Sequence, residues 1–267
     1  MLVRCPAKVN TFLSVGAREE SGYHPLRSVM QAVGLFDDLS LTVSEVDEIV
    51  CDCPDLPREN TMTKALRLLR ELARVPPLRI ELTKRIPAQS GLGGGSSDAA
   101  GVIRAARAML PDEVSAQFAH EVASAVGSDV PFFLVGGRAR VTGYGEIVEP
   151  LPDVPETWLL IVRPAEAVST VEAYARLDES PREWREFSDE HYNDFERVAP
   201  CASLELSERL QTHGASGALL CGSGSAVFGT FPNEQDANTA KEKLSNEGFG
   251  QSYVARTLTR EESLWTS

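Results

Sequence analysis

Residues 86–97 read "IPAQSGLGGGSS", with Gly91, Gly93, Gly94 and Gly95 crowded together ahead of two serines and an alanine-rich stretch. Glycine loses more conformational freedom on folding than any other residue, so such a run needs a use. Glycines just before a helix let backbone N–H groups converge on an anion, and the helix start adds unpaired donors and a positive dipole end. The period-two stretch "LRIELTKRI" precedes the run and "SSDAAGVIRAARAM" follows it, so the run joins a strand to a helix and is no flexible linker. A Walker loop requires Gly-Lys-Ser/Thr, and no lysine follows these glycines. A dinucleotide fingerprint would need a third glycine where Ser96 stands. What remains is a phosphate cradle of another kind, with a hinge or a tightly packed turn as the alternative.

Three further stretches carry groups suited to phosphate chemistry. "PAKVN" (6–10) carries Lys8 and Asn10 on the first strand. "GSD" (127–129) offers the carboxylate of Asp129, and "CGSGSAVFGTF" (221–231) is a second glycine turn between strands. "GYH" (22–24) places an aromatic face and an imidazole in one turn, able to stack on a base and bond its edge. Each of these residues also has an ordinary structural use as an edge lysine, a turn aspartate or surface packing.

Strand-like patterns occupy residues 8–16, 40–46 and 76–87, and "VPFFLV" (130–135) and "WLLIV" (158–162) read as buried strands. Residues 59–74 form an amphipathic helix capped by Asn60 or Thr61, with Ala65, Leu68, Leu69 and Leu72 on one face. Residues 96–110 read as a helix starting at Ser96 or Ser97, and 113–126, the stretch from about Thr170, and 234–247 as further helices. Gly143 and Gly145 centre a hairpin, and the proline-rich 149–156 marks the best domain boundary. "DD" (37–38) reads as a strand-edge turn, and His120, His191 and His213 as surface residues. The alternation predicts an α+β protein of two units side by side.

A net charge of −13 over 267 residues argues against non-specific binding to nucleic acid or anionic membranes. The five cysteines are scattered. Cys51 and Cys53 are too close for a zinc knuckle, so reduced thiols in a cytoplasmic protein are expected, with no metal ligands assigned. No signal peptide or membrane span is expected, and without a GxSxG elbow hydrolase chemistry has no support.

The order Pro-x-x-x-Gly-Leu-Gly-Gly-Gly-Ser-Ser-x-Ala resembles the ATP loop of the GHMP kinases, a superfamily that includes the homoserine and mevalonate kinases. "PAKVN" and "CGSGSAVFGTF" resemble its N- and C-terminal motifs. One branch, acting on a cytidine diphosphate alcohol of the non-mevalonate isoprenoid pathway, is similar from end to end, through residues 6–41, 127–146 and 193–196. Thr11 and Cys221 depart from that branch, which usually has Leu and Ser there.

The resemblance implies a two-domain GHMP kinase fold: a ribosomal-protein-like ATP-binding domain over 1–152, a ferredoxin-like domain over 153–267, and the active site in the cleft between them. It implies that Pro87, Ala88, Gln89, Ser90, Gly91, Leu92, Gly93, Gly94, Gly95, Ser96 and Ser97 hold the triphosphate of ATP, with Ser96 or Ser97 near Mg²⁺. Asp129 would accept or orient the proton of the substrate's 2-hydroxyl, with Lys8 beside it and Asn10 near the reacting end. Tyr23 and His24 would hold the cytosine, with Tyr174 opposite, and Gly222 and Ser223 would line the substrate. The implied partner is this small molecule alone, on a monomer or weak homodimer. Two rivals stand beside it: a homoserine- or mevalonate-type kinase, whose substrate has no base to stack, and a nucleotide-binding regulator without the chemistry.

Overall fold

The computed structural model describes residues 1–53, 56–166 and 168–267. Its first half contains β1 (Leu2–Val15), β2 (Leu26–Val43), β3 (Glu48–Cys51), α1 (Thr61–Leu69), β4 (Leu78–Thr83), α2 (Gly94–Met109), α3 (Ala116–Val126), α4 (Phe132–Val135), β5 (Arg138–Thr142) and β6 (Ile147–Leu151). The second half contains β7 (Trp158–Arg163), α5 (Thr170–Glu179), β8 (Tyr192–Asn193), α6 (Cys201–Thr212), β9 (Gly217–Leu220), β10 (Val227–Phe231), α7 (Glu234–Asn246), β11 (Gln251–Arg256) and α8 (Arg260–Ser263).

Two sheets organise these elements. In the first, the order is β3-β4-β2-β1-β8, and the long β2 also pairs with β5, which pairs with β6. The second is the antiparallel array β11-β7-β10-β9. Helices α1, α2 and α3 bury their apolar faces with the first sheet, while α6 and α7 cover the second. A smaller apolar cluster between the sheets joins Ala7 and Val9 to Ile161, Cys221 and Phe228.

The chain crosses the expected boundary at residue 152 more than once. Strand β8 runs parallel to β1 and belongs to the first sheet. Just beyond it, the buried Asp194 accepts hydrogen bonds from the Ser14 hydroxyl at 3.2 Å and the Val15 N–H at 2.7 Å. The C-terminal segment also returns, bridging Thr266 to Val3.

The first of two irregularities in the β1–β2 pairing sets the direction in which Lys8 points. The register of β1 against β2 shifts between Pro6 and Ala7 and again between Asn10 and Phe12. At the first shift the partner jumps from Phe36 to Val33, leaving two extra residues on β2, and the faces change across it. Val3 and Cys5 therefore face α2, where they border Gly101, but after the first bulge it is Lys8 that faces this side, against Gly93. Ala7 and Val9 turn to the cluster between the sheets.

Several expectations change in the structure. The run 130–135 is not a strand: Pro131 opens a single helical turn, Phe132–Val135, closed by Gly136 at φ +69°. A short apolar run cannot be told from a buried helical turn by periodicity alone. In α1 the Asn60 cap forms as expected, but the buried face is Met62, Ala65, Leu66 and Leu69, and Leu72 is exposed. The helix ends at Leu69, and the Arg70 side chain ties the chain that follows by donating to the carbonyls of Val75 and Pro76 and to Asp47. Nor does Asp37 lie in a turn. It sits wholly buried within β2, which runs unbroken from Leu26 to Val43. All five cysteines are free thiols, and no described helix is long and apolar enough to cross a membrane.

Near the C-terminus, Thr259 and Glu262 form a reciprocal capping box on α8, and Arg256 adds a forked pair to the same carboxylate. The Arg256 hydrogen bonds and then the Thr259 N–H hold Glu262 at about 2, against an ordinary 4.5. A depressed carboxylate stabilises the fold above its unfolded pKa and loses that contribution as pH falls through the folded value. Glu262→Gln is therefore expected to lower the melting temperature at pH 6–7 and to match the wild type near pH 2. Because the side chain is 38% exposed, the effect is modest, about 1 kcal/mol. Thermal melts across that pH range, with an equal offset at every pH as the contrary result, check this.

Candidate active site

The cradle is built where β4 gives way to α2. Asp37 accepts the backbone N–H groups of Arg85 at 2.6 Å and Ile86 at 2.8 Å, fixing the chain as it enters the loop. Lys84 pairs with Asp37 and bonds Asp98 on α2 at 2.9 Å, bracing the two ends of the loop. Burial and then the neighbouring Asp37 charge push Asp98 up to about 7, against the opposing pull of Lys84. Nothing in the "DD" or "SSDAA" patterns names this three-member cluster, because its partners come from a strand, a loop and a helix.

Helix α2 begins at Gly94, with Gly93 as its cap at φ +75° and no side-chain hydrogen bond. Ser96 and Ser97 are therefore not caps but first-turn residues. Helices α1, α3, α5 and α7 are each finished by Asn60, Ser115, Ser169 and Asn233 respectively. The first-turn donors of α2 are thus left to an outside acceptor, as an anion site requires. Ser96 is partly exposed there, whereas Ser97 is fully buried and its hydroxyl has no partner.

The second glycine turn closes on the first. The Ala226 N–H donates to the Ser90 carbonyl at 3.2 Å, and the Lys8 N–H donates to the Leu92 carbonyl at 2.9 Å. Gly222, at φ +55°, lies close enough that a Cβ there would come within 3.3 Å of Lys8 Nζ and 3.6 Å of Asn10 Oδ1. Buried Asn193 holds this turn by donating to the carbonyls of Leu220 and Gly222. Ser223 meets Thr170 of α5 at 3.1 Å.

Lys8 and Asn10 are 3% and 1% exposed, and Lys8 Nζ donates to Asn10 Oδ1 at 2.9 Å. Asn10 in turn donates to Ser28, and Ser28 to the Phe12 carbonyl, so the amide orientation is fixed by the chain of bonds. On the other side Lys8 Nζ stands 3.5 Å from the Asp129 carboxylate. Asp129 lies in the turn between α3 and α4, and its side chain is 29% exposed. A buried ammonium and a half-open carboxylate thus meet beside both glycine turns.

A cavity of about 920 Å³ adjoins this point, lined by Tyr23, His24, Tyr144, Tyr174 and Asp178 among others. The rings of His24 and Tyr174 are in contact, with centroids 4.8 Å apart, and Tyr174 packs edge-on against Phe195. Tyr23 leans on Tyr144 instead, with centroids 5.6 Å apart. The aromatic residues expected from sequence therefore share one cavity, but His24 and Tyr174 leave no gap for a base between them. Burial and then the nearby Asp129 charge push the Tyr174 phenol up to about 12. Two contributors are not visible in the sequence pattern. Tyr144 reads there only as part of a hairpin, and Asp178, which contacts His24 Nε2 at 2.7 Å, lies on the helix of Tyr174 but in no motif. The order Tyr-x-x-x-Asp on α5 is the available signal, since it puts Tyr174 and Asp178 one turn apart.

The fold and this convergence of two glycine turns define the class of protein. The family model described as "GHMP kinases N terminal domain" matches residues 60–137, and "GHMP kinases C terminal" matches 178–250. The chain is 38% identical to 4-diphosphocytidyl-2-C-methyl-D-erythritol kinase of Geobacter metallireducens, covering 92% of this chain and 94% of that one. It is 37% identical to the Geotalea daltonii enzyme of the same name, over 96% and 98% of the two chains. A crystal structure of 4-(cytidine 5'-diphospho)-2C-methyl-D-erythritol kinase superposes with a TM-score of 0.82 at 33% identity, covering 96% of this chain and 99% of that one. A homoserine kinase from Cytophaga hutchinsonii, 21% identical with a TM-score of 0.70, shares the fold. The chain belongs to the family of 4-diphosphocytidyl-2-C-methyl-D-erythritol kinases, within the GHMP kinases.

Proposed function

We propose that this protein transfers the γ-phosphoryl group of ATP to the 2-hydroxyl of 4-diphosphocytidyl-2-C-methyl-D-erythritol, in the non-mevalonate route to isoprenoids. The observation that carries this reading is the meeting of Lys8 and Asp129, 3.5 Å apart, beside an uncapped helix start. Phosphoryl transfer asks the protein mainly to position the reactants and to stabilise charge. The open donors of residues 93–96 receive the triphosphate. Lys8 stabilises the oxygens in flight and Asp129 takes or orients the hydroxyl proton. Asn10, locked by Ser28, holds the substrate near its reacting end, flanked by Gly222 and Ser223.

Two cavities suit the two nucleoside ends. The aromatic one suits the cytosine, with Tyr23 as the exposed ring (66%) free to stack and His24 at its edge. The other, about 650 Å³, is walled by Ile49, Leu56, Asn60 and Leu66 and suits the base of ATP. It adjoins the loop because Thr61 at the start of α1 donates to the Gly95 carbonyl at 2.6 Å. Mg²⁺ neutralises charge on the β- and γ-phosphates when bound, usually through one or two protein oxygens. The partly exposed Ser96 fits that part, while the buried Ser97 does not.

The test is ATP consumption with Mg²⁺ and 4-diphosphocytidyl-2-C-methyl-D-erythritol, with homoserine and mevalonate in parallel. Turnover with the cytidylyl substrate alone is expected. Turnover with either other alcohol, or with none, overturns the substrate assignment.

A further inference from the structure

Cys51 and Cys53 stand together in the wall of the 650 Å³ cavity, both half-buried, at the end of β3. Their Sγ atoms face one another in direct contact across the turn. The Cys53 N–H donates back to Cys51 Sγ at 3.2 Å, so the three-residue turn already has both sulfurs facing one another. Between them, Asp52 accepts the Lys84 N–H at 2.9 Å, and Lys84 is the residue that braces the phosphate loop against Asp37 and Asp98. The turn is therefore tied both to the cavity and to the loop.

We propose that Cys51 and Cys53 form a reversible dithiol–disulfide site that controls nucleotide binding. This goes beyond the established family chemistry and rests on assigning this cavity to ATP. The oxidant is a small-molecule disulfide. The Cys53 thiolate attacks one of its sulfurs and releases the first thiolate, which takes up the proton Cys53 lost. The resulting mixed disulfide is attacked by Cys51, whose proton passes to the second departing thiolate. Two protein thiols are oxidised to one intramolecular disulfide, and one external disulfide is reduced to two thiols. Burial and then the bond to Cys53 hold the Cys51 thiol protonated, at about 12. Closing the ring pulls the turn in on itself, moving Asp52 against Lys84 and reshaping the cavity wall. Cys5 and Cys221 are buried and stay outside the exchange, while Cys201 is exposed and is removed as Cys201→Ser for the test.

In that Cys201→Ser background, the protein is equilibrated with glutathione disulfide. Peptides are then mapped by mass spectrometry and ATP affinity is measured by calorimetry. Expected are an intramolecular Cys51–Cys53 disulfide, an ATP Kd raised about tenfold, recovery with dithiothreitol, and slower closure when ATP is present. Cys51→Ser/Cys53→Ser should show no change in Kd on the same treatment, whatever its own affinity. The proposal fails if glutathione remains as a stable adduct without ring closure, or if closure leaves the ATP Kd unchanged. A reduced protein that binds no ATP at all would instead overturn the nucleotide assignment, and with it the coupling. Disulfide mapping would still report on the thiol exchange.

Discussion

Asp129→Asn is expected to lower kcat by about 10²–10⁴-fold, the range seen when a group that moves or holds a proton in the transition state is lost. ATP affinity should stay within about twofold, because Asp129 lies on the α3–α4 turn and not on either glycine turn. The substitution keeps the shape of the side chain but removes the charge that faces Lys8 Nζ at 3.5 Å. In a loose transition state the base has little covalent work to do, so the size of the loss is informative. A drop of about tenfold would indicate an orienting role, whereas near-normal turnover would remove Asp129 from the chemistry. Steady-state kinetics with calorimetric ATP binding separate these outcomes.

Gly91→Ala is expected to destabilise the fold by about 3 kcal/mol or more and to abolish ATP binding. Gly91 has φ +79°, a conformation that costs an L side chain about 1–2 kcal/mol. A Cβ there would also lie 1.9 Å from the Cys221 carbonyl oxygen, which is backbone and cannot swing aside. One of the two glycine turns would have to move, and the Ser90–Ala226 bond between them with it. Gly95→Ala is the control: its Cβ would meet nothing nearer than 3.5 Å, and alanine is the better helix former. Denaturant melts of both variants check this, and a Gly91→Ala protein as stable as the wild type would show that the turns are less tightly joined than the structure has them.

The contrast between these two residues shows what is legible in the sequence. Glycines 91–95 can be read because their chemistry is local: a strand, a loop and a helix in consecutive residues. Asn60 can be read as a cap for the same reason. The approach of Lys8 to Asp129 cannot, since it depends on the irregularity between Pro6 and Ala7 in the β1–β2 pairing, beyond which Lys8 faces α2. Period-two patterning carries no mark of where such a slip occurs. The end of α1 is hidden because apolar spacing continues to Leu72, while the segment beyond it is held by Arg70 through distant partners at Asp47 and Pro76. Asp37 is misplaced by its sequence because two adjacent acids suggest a turn, and it takes the distant Lys84 ammonium with the Arg85 and Ile86 N–H groups to make a buried carboxylate tolerable inside a strand. His24 and Tyr174 each read as base-binding, but their direct contact is a property of how α5 packs.

Asp194 reaches β1 late in the making of the chain. The backbone at Val15 is finished by a carboxylate 179 residues further along, and β8 supplies a neighbouring strand to β1 from the same distant segment. As the chain emerges from the ribosome, the first sheet has its turns and helices long before it has this closing contact. Non-local closure of this kind slows folding and leaves a strand edge open meanwhile. Residues 1–152 would thus wait half-finished on the ribosome, holding an exposed edge until the segment around residue 194 arrives to seal it.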